Sequence, residues 1–584
     1  CNNEKTKLLF AVILIFITFA EKDKTKIMEK IIIYQIFTRL FGNENTTRKY
    51  NGSITDNGCG KLNKFTPAVL RQIRGLGVTH VWYTGVIRHA TTTDYSGYGI
   101  PRQHPAVVKG NAGSPYAIAD YYDIDPDLAT NVKRRMLEFE RLVKRTHEAG
   151  MKVIIDFVPN HVARQYKSIA KPDGIKDFGE DDDTGKQFYP MNNFYYCPGQ
   201  DFAPYIDLYH GEPLPYEEFP AKATGNDCFG NRPGNNDWYE TVKLNYGVDY
   251  CDYGGISKHF SPIPDTWVKM LDILLFWAGK GVDAFRCDMA EMVPSEFWSW
   301  ATMEVRRKFK NIAFIGEVYN PARYREYIAA GFNYLYDKVG MYDCMRAVVC
   351  GNRPASDITY QWQQTDDIAG NMLYFLENHD EQRLASDFFA HNGMKGVPAL
   401  AVNVLMRKNP FMLYAGQEYG ERGMDEEGFS GKDGRTTIFD YWSLDSLIHG
   451  FLSRRQLTAE EKNLEAIYKK LLNIAITEKA VSDGEFFDLM YVNPTSEFFD
   501  SARQYAFLRK YKNETLLVVA NFSDTEADVK INIPQHAFDY LNLPDEITDA
   551  VDLMNGETSK ICLSTESPVS LLVSPNSARV LKIK

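Results

Sequence analysis

Acidic side chains stand at the ends of three strand-like segments of this chain. Asp288 ends GVDAFRCD, Glu317 lies in FIGEV, and Asp380 ends FLENHD. Arg286 precedes Asp288 by two positions, and strand residues two apart point to the same face, so the two side chains should lie side by side. Because a buried ion pair is costly and clustered carboxylates repel one another, stability alone does not explain this set. The spacing predicts a site that works with carboxylic acids.

Two carboxyl groups can cleave a glycosidic bond with retention of configuration. One must stay ionised as the nucleophile and the other must hold a proton as the acid, about 5–5.5 Å away. We expect Arg286 to lower the pKa of Asp288 and to orient its oxygens. We expect Phe314 and Val318 to give Glu317 the apolar surroundings that suit a general acid.

Two histidines accompany the acids. His161 follows the third strand-like segment and His379 precedes Asp380. A histidine that is simply satisfied in the core is the plain alternative, but both residues stand just beyond a strand end, which favours contact with a ligand. Asp380 would then hydrogen-bond sugar hydroxyls beside these two rings.

The elements that must position these residues alternate between strand and helix. Eight short β-branched or aromatic segments are separated by longer amphipathic ones, which predicts an α/β fold, a (β/α)8 TIM barrel with its active site at the carboxyl ends of the strands. The predicted strands cover residues 31–40, 79–86, 152–159, 282–288, 312–318, 332–337, 372–378 and 411–416.

Two parts of the chain do not follow this alternation of strands and helices. About ninety Gly-, Asn- and aromatic-rich residues separate strands 3 and 4, too many for a plain loop, so 162–260 is predicted to be an inserted subdomain. Alternating strands and turns in 481–584 predict a C-terminal antiparallel β-sandwich. The barrel is then assigned to 28–161 and 261–480.

The composition of the chain indicates which classes of binding partner are expected. The net charge of −11 and the absence of a clustered basic stripe argue against a nucleic-acid partner. Aromatic residues make up 13% of the chain, which suits a surface that stacks flat ligands, although an aromatic core is the plainer reading. The nine cysteines are scattered without zinc-site spacing and are predicted to be mostly free.

Residues 1–27 have the layout of a secretory signal segment. Lys5 and Lys7 precede an apolar run, 8–20, that is too short to span a bilayer comfortably, so no stable membrane span is expected. We therefore expect an exported protein, periplasmic or extracellular. A cytoplasmic protein that starts at Met28 is the alternative.

Four ordered segments together resemble the signature regions of the α-amylase family, glycoside hydrolase family 13. They are DFVPNH (156–161), GVDAFRCD (281–288), GEV (316–318) and FLENHD (375–380), and the resemblance extends over about 31–480. It implies an enzyme that acts on α-glucan oligo- or polysaccharides such as starch or maltodextrin.

The resemblance also implies roles for individual residues. Asp288 would be the nucleophile, Glu317 the acid/base and Asp380 the transition-state stabiliser. Tyr116 would stack on the sugar, although other tyrosines of the same loop could do so. The residues lining the subsite of the cleaved sugar would be His161, Arg286 and His379.

One part of the pattern departs from the family. The Lys–His pair that usually follows the fourth-strand motif is Glu291 and Met292 here. In the family the histidine carbonyl binds calcium, and Asn160 matches a position that usually holds the domain junction together. The resemblance thus leaves calcium as a cofactor with Asn160 as a ligand. No other cofactor is expected.

Three functions follow from these residues. The leading function is hydrolysis of α-1,4-glucosidic bonds. An α-glucan transglycosylase of glucanotransferase or branching type would use the same chemistry. A catalytically silent α-glucan-binding protein is less favoured because all three acids are present. Glu291 leaves the choice between water and a sugar acceptor open.

Overall fold

A computed structural model describes residues 30–423 and 431–583 of the chain. The signal-like segment predicted at 1–27 and the alternative start at Met28 lie outside these residues, so export stays a prediction. Within the described ranges, no helix combines the length and the apolar character needed to cross a membrane.

Eight parallel strands close into a barrel, as the sequence predicts. Each strand is shorter than its predicted segment because the last residues of the segment lie beyond the ladder. Around the barrel the order is β1-β8-β7-β6-β5-β4-β3-β2. The strands are β1 (Ile32–Phe37), β2 (His80–Thr84), β3 (Lys152–Phe157), β4 (Ala284–Cys287), β5 (Ala313–Gly316), β6 (Tyr334–Tyr336), β7 (Met372–Phe375) and β8 (Phe411–Tyr414).

The alternation of side chains along β4 places the arginine inside the barrel. Ala284 belongs to the small apolar cluster within the barrel, whereas Phe285 and Cys287 belong to the large core between the strands and the helices. Arg286, in register with Asp156 of β3 and Ile315 of β5, shares the inner face with Ala284. Cys287 therefore packs toward the outer helices and not into the barrel.

Helices surround the barrel and bury their apolar faces on its outside. The last of them begins with a capping box in which Thr458 and Glu461 satisfy each other's backbone N–H groups. The helices are α1 (Pro67–Gly75), α2 (Arg135–Glu148), α3 (Asp265–Gly279), α4 (Ser295–Lys308), α5 (Tyr324–Ala329), α6 (Asp343–Val349), α7 (Asp357–Gln364), α8 (Val397–Leu405) and α9 (Ala459–Thr477).

Short strand pairs build the connections above the barrel. The segment between β3 and α3 is anchored to the barrel where His161–Ala163, just after β3, pairs antiparallel with Thr241–Lys243. This segment also shares a small apolar cluster with Ala106 and Val107 of the loop after β2; the cluster includes Phe202, Tyr216 and Tyr239. The other pairs are Ile87–His89 with Ile118–Ile124, Tyr196–Cys197 with Ala221–Lys222, and Val248–Asp249 with Ser257–Lys258.

The C-terminal part is antiparallel, as predicted. Six of its strands form one sheet in the order β9-β10-β11-β16-β13-β14, and β12 pairs with β15. One helix, α10 (Gln535–Leu541), connects the strand at 527–531 to the strand at 546–552. The strands are β9 (Glu485–Asp488), β10 (Gln504–Tyr511), β11 (Glu514–Asn521), β12 (Ala527–Ile531), β13 (Glu546–Asp552), β14 (Thr558–Leu563), β15 (Val569–Val573) and β16 (Ser577–Ile583).

Candidate active site

A cavity of about 460 Å³ opens at the carboxyl ends of the barrel strands. Asp288, Glu317 and Asp380, which follow β4, β5 and β7, all line it. The loop after β2, the segment between β3 and α3 and the loop after β8 supply the other walls. The remaining lining residues are Lys109, Ser114, Tyr116, His161, Trp238, Glu240, Thr241, Met289, Tyr319, Glu381, Ile438 and Phe439.

Arg286 is the buried cation at the floor of this cavity. Its Nη1 donates to Asp288 Oδ1 at 2.7 Å, and its Nη2 lies 2.8 Å from Glu317 Oε2. A third carboxylate, Asp156, lies 3.7 Å from Nη1. Since the side chain is only 1% exposed, one guanidinium orients two of the predicted catalytic acids at once.

The immediate surroundings of Glu317 are polar, so the prediction of an apolar environment is wrong. Besides the contact with Arg286, Oε2 accepts a hydrogen bond from the backbone N–H of Met289 at 2.8 Å. Oε1 accepts one from the hydroxyl of Tyr319 at 2.6 Å. Phe314, on the same strand, faces the outer core instead, because successive strand residues point in opposite directions.

The ionisation of Asp288 also differs from the sequence-based expectation. Burial raises its pKa well above that of a free carboxyl, and the neighbouring charges of Glu317 and Asp380 add to this effect. Arg286 acts in the predicted direction and lowers the pKa, but the opposing effect of burial is larger. The net shift is therefore upward.

Four carboxyl groups share this single guanidinium. Confinement in the cleft and the charge of Glu317 raise the pKa of Asp380 to about 7, and burial raises that of Asp156 to about 6. Like charges held this close cannot all ionise together. Burial and mutual repulsion thus favour the protonated forms of Asp288, Asp380 and Asp156.

Met289 has a backbone conformation that is unusual for its residue type. Its φ is 42° and its ψ is 43°, in the left-handed region that residues with a Cβ enter at a cost of about 1–3 kcal/mol. This conformation directs the N–H of Met289 at Glu317 Oε2 immediately after Asp288. Strain of this kind concentrates where geometry serves function.

Comparison with known proteins now decides the family. The chain matches the family model described as "Alpha amylase, catalytic domain" over residues 35–473. The chain belongs to the α-amylase family. This is a family of glycoside hydrolases and related transglycosylases.

Similar proteins of known name agree with this assignment. Alpha-amylase 3 of Dictyoglomus thermophilum is 24% identical, with 82% of this chain and 84% of that protein covered. Alpha-amylase MalA of Haloarcula japonica is 23% identical, and there the match covers 91% of this chain but only 59% of the relative. A cyclomaltodextrin glucanotransferase of Niallia circulans is 24% identical over 68% of this chain and 50% of its own length.

Solved structures share the fold of this α-amylase family member. The maltogenic α-amylase AmyB from Thermotoga neapolitana superimposes with a TM-score of 0.60 at 20% identity, covering 95% of this chain and 99% of that one. An α-amylase from Geobacillus thermoleovorans gives a TM-score of 0.61 at 18% identity, covering 96% and 99%. The barrel and the C-terminal sheet thus belong to an architecture known from solved family members.

Tyr116 and His379 form one unit beside the acids. Their rings stack with centroids 5.3 Å apart, and the hydroxyl of Tyr116 hydrogen-bonds to Nε2 of His379. Gln35 Nε2 lies 2.8 Å from Nδ1 of the same ring. Burial and then Arg286 hold the pKa of His379 well below its usual range, so the ring is neutral. Tyr116 faces the cavity, and His379 lies behind it, 3.2 Å from Asp380.

His161 follows β3, where it pairs with Lys243 of the inserted segment. Burial, followed by Lys243 and Lys109, lowers its pKa to about 3, so it is also neutral. Its ring lies 5.2 Å from that of Trp238, which lines the cavity. Trp238 is therefore part of the cavity wall, whereas Tyr239 belongs to the small apolar cluster described above.

Asn160 lies near the cavity but outside its lining. Its Nδ2 donates to the carbonyl of Gly225 at 2.8 Å, and its Oδ1 accepts from Nζ of Lys243. Across the described ranges, no three His, Cys, Asp or Glu side chains are grouped so that they could hold a metal. Calcium at Asn160 stays a prediction.

Sequence reasoning missed several residues of the site. Met289 and Tyr319 lie one and two positions beyond predicted acids, so proximity in the sequence could have indicated them. Lys109 lies within reach of Glu240, 3.0 Å away, and of the Tyr239 ring. Nothing in the spacing predicts this contact between two loops.

Proposed function

We propose that the protein is a retaining glycoside hydrolase that cleaves α-1,4-glucosidic bonds in starch- or maltodextrin-type α-glucans. The observation that supports this most directly is the bridging of Asp288 and Glu317 by one buried guanidinium, with Asp380 on the same cavity. Two carboxyls on one small site suit a double displacement through a covalent glycosyl-enzyme intermediate.

Asp288 is the proposed nucleophile. Arg286 holds Oδ1, which leaves Oδ2 to attack the anomeric carbon. Arg286 favours the ionised form of Asp288 and so acts against the effect of burial. The bond to the leaving oxygen breaks as the bond to Oδ2 forms.

Glu317 is the proposed acid/base. It gives a proton to the glycosidic oxygen in the first step and takes one from water in the second. The N–H of Met289 and the hydroxyl of Tyr319 can stabilise the carboxylate that remains after proton donation. The donors on Glu317 thus suit a group that alternates between acid and base.

The other predicted residues suit sugar binding. Tyr116 presents a ring that is held in place by His379, and a sugar ring can pack on its exposed face. His161, a neutral ring, can donate or accept a hydrogen bond without adding charge to the site. Asp380, which also lines the cavity, can accept hydrogen bonds from sugar hydroxyls as the ring flattens.

The reaction can be followed on amylose and on maltoheptaose. We expect net release of reducing ends, and proton NMR of the first products should show the α-anomer, which is the signature of retention. The β-anomer as the first product would contradict the nucleophilic role of Asp288. No turnover on any α-glucoside would favour a binding protein.

A transglycosylase is the second candidate. Several similar proteins are cyclomaltodextrin glucanotransferases, and Ile438 and Phe439 add apolar surface to the cavity, which could disfavour water. Chromatography of the products distinguishes the two reactions. Cyclic, longer or branched products without new reducing ends would show that a sugar, not water, accepts the glycosyl group.

A further inference from the structure

The junction between the barrel and the inserted segment contains a buried ammonium ion. Lys243 belongs to the short strand Thr241–Lys243, which pairs with His161–Ala163 directly after β3. Its side chain is 2% exposed, and its Nζ donates to Oδ1 of Asn160. A charge so well enclosed needs acceptors around it.

Those acceptors come from both sides of the junction. Asn160 follows β3 of the barrel and is fully buried, whereas Asp227 belongs to the inserted segment and places Oδ1 2.6 Å from Nζ. The ring of Tyr250 lies 5.9 Å from the same ammonium group. Lys243 thus links a barrel residue to a carboxylate of the inserted segment.

The oxygens around Asn160 already have hydrogen-bond partners. The carbonyl of Pro159 accepts from the Tyr246 hydroxyl at 2.7 Å, and that of His161 accepts from the Tyr121 hydroxyl at 3.2 Å. The carbonyl of Gly225 accepts from Asn160 itself.

These contacts matter for a divalent cation. Calcium needs six to eight oxygen ligands, and it would have to take Asn160 Oδ1 from a positively charged group. The residues that are present do not fit a calcium ion at this place.

We propose that Lys243 takes the place of the calcium ion that the family resemblance implies at Asn160, so that the junction between the barrel and the inserted segment is independent of calcium. The Nζ group supplies the positive charge, and Asn160 Oδ1 and Asp227 are its acceptors. The consequence is an enzyme whose junction keeps its structure in the presence of a chelator. This inference concerns the architecture of the junction and does not depend on the proposed reaction.

The first test uses the unmodified full chain. After treatment with EDTA, we expect the thermal unfolding midpoint, measured by circular dichroism, to stay the same with and without added calcium chloride. A bound ligand stabilises the native state in proportion to the logarithm of its concentration over Kd, so a tight site would be visible as a shift. A midpoint that falls with EDTA and recovers with calcium in the parent, but not in Asn160→Ala, would overturn the proposal.

Equilibrium dialysis with radioactive calcium gives a direct count. If the parent binds calcium and Asn160→Ala does not, the proposal is contradicted. If both bind the same amount, the ion lies elsewhere and Lys243 remains the cation of the junction. Neither readout uses catalysis, so failure of the proposed function would not affect the result.

A matched pair of variants tests the lysine itself. Lys243→Met keeps the length of the side chain and removes the charge, whereas Lys176→Met removes an exposed ammonium that pairs with Asp181 in the same segment. We expect faster limited proteolysis of the inserted segment in Lys243→Met than in Lys176→Met. Equal rates in the two variants would argue against Lys243 as the link. If Lys243→Met does not fold, the parent's response to EDTA still decides the question.

Discussion

Two buried arginines at the carboxyl end of the barrel differ in how their charge is balanced. Arg383 donates to Glu377 Oε2 at 2.9 Å, to Thr436 Oγ1 at 2.8 Å and to the carbonyl of Ala415 at 3.0 Å. Glu377 also accepts the N–H of Leu384 at 2.7 Å. One cation thus contacts one carboxylate, and neutral acceptors complete its hydrogen bonds.

Arg286 is surrounded by an excess of negative groups. It contacts Asp288 and Glu317, and Asp156 lies 3.7 Å from its Nη1. Asp380 also interacts electrostatically with Arg286. Both arginine side chains are 1% exposed, so burial does not distinguish them. What differs is the ratio of carboxylates to cations.

This difference separates a structural ion pair from a reactive site. A balanced pair stabilises the fold only while both partners are present, since a single buried charge is costly. An unbalanced cluster raises pKa values and retains protons, which costs stability but prepares acid–base chemistry. The two arginines can therefore be tested with the same kind of substitution and opposite expectations.

The largest expected effect is on turnover in the Arg286 cluster. We expect Asp288→Asn and Glu317→Gln each to lower kcat by about a thousandfold or more, because each removes a covalent or proton-transfer role. Stability should stay the same or rise, because one of the mutually repelling carboxyls is gone. Reducing-sugar assays and thermal unfolding measure the two quantities. A variant that keeps the parent's kcat would remove that residue from the mechanism.

The opposite result is expected in the Arg383 cluster. Glu377→Ala leaves Arg383 buried without its carboxylate and should lower the free energy of unfolding by about 3–5 kcal/mol. The fraction that stays folded should keep a kcat close to that of the parent, because Glu377 does not line the cavity. Urea unfolding and active-site titration give these values. Unchanged stability with lost activity would reverse the comparison.

The pH dependence of kcat/KM is a third measure of the unbalanced cluster. With a pKa of about 7, Asp380 takes up a proton as the pH falls through neutrality, so we expect kcat/KM on maltoheptaose to decline below about pH 7. The sign for stability is opposite. Because its folded pKa is above the value of about 4 for a free carboxyl, ionisation of Asp380 destabilises the native state as the pH rises.

The Asp380→Asn variant provides the control for this profile. Its acidic limb should lose the step near neutrality, although its maximal rate is lower. A parent profile that is flat between about pH 5 and 8, measured where circular dichroism shows the fold intact, would contradict the raised pKa.

The comparison also shows how far the sequence could lead. The eight barrel strands follow from local hydrophobic pattern, and the side-by-side placement of Arg286 and Asp288 follows from a period of two residues. Both depend on short-range rules. The position of Asp288, Glu317 and Asp380 at the ends of barrel strands predicted that they share one site, and in the structure all three line one cavity.

The features that the sequence could not predict are contacts between segments that are distant in the chain. The sharing of Arg286 by Glu317, the contact of Lys243 with Asn160, and the turn of Trp238 toward the cavity depend on how loops pack. Pattern cannot weigh burial and neighbouring carboxyls against Arg286, so the net rise in the pKa of Asp288 was not predicted. The predicted domain boundaries and the export of the chain stay predictions.

A smaller effect is expected from the neutral donor on the acid/base. Tyr319→Phe removes the hydroxyl that donates to Glu317 Oε1 and keeps the ring. Loss of one hydrogen bond to a charged group corresponds to about 1.5–3 kcal/mol, so kcat should fall by about ten- to a hundredfold with little change in KM. Tyr95→Phe, which removes a hydroxyl bonded to Asp127 instead, is the matched control. A kcat equal to that of the parent would mean that Arg286 and Met289 suffice to hold Glu317.

The smallest effect is expected at the wall that neither arginine reaches. Trp238 packs near His161 and lines the cavity, so Trp238→Ala should weaken the stacking of a sugar ring. Aromatic contacts of this kind contribute about 0.5–1.5 kcal/mol beyond the area they bury, which corresponds to a rise in KM of about two- to twelvefold at nearly constant kcat. Trp238→Phe should recover most of the affinity, because it keeps a ring at the same place. A change in kcat rather than KM would instead connect this wall to the chemistry at Arg286, and the charge cluster would then extend beyond the residues that contact the guanidinium.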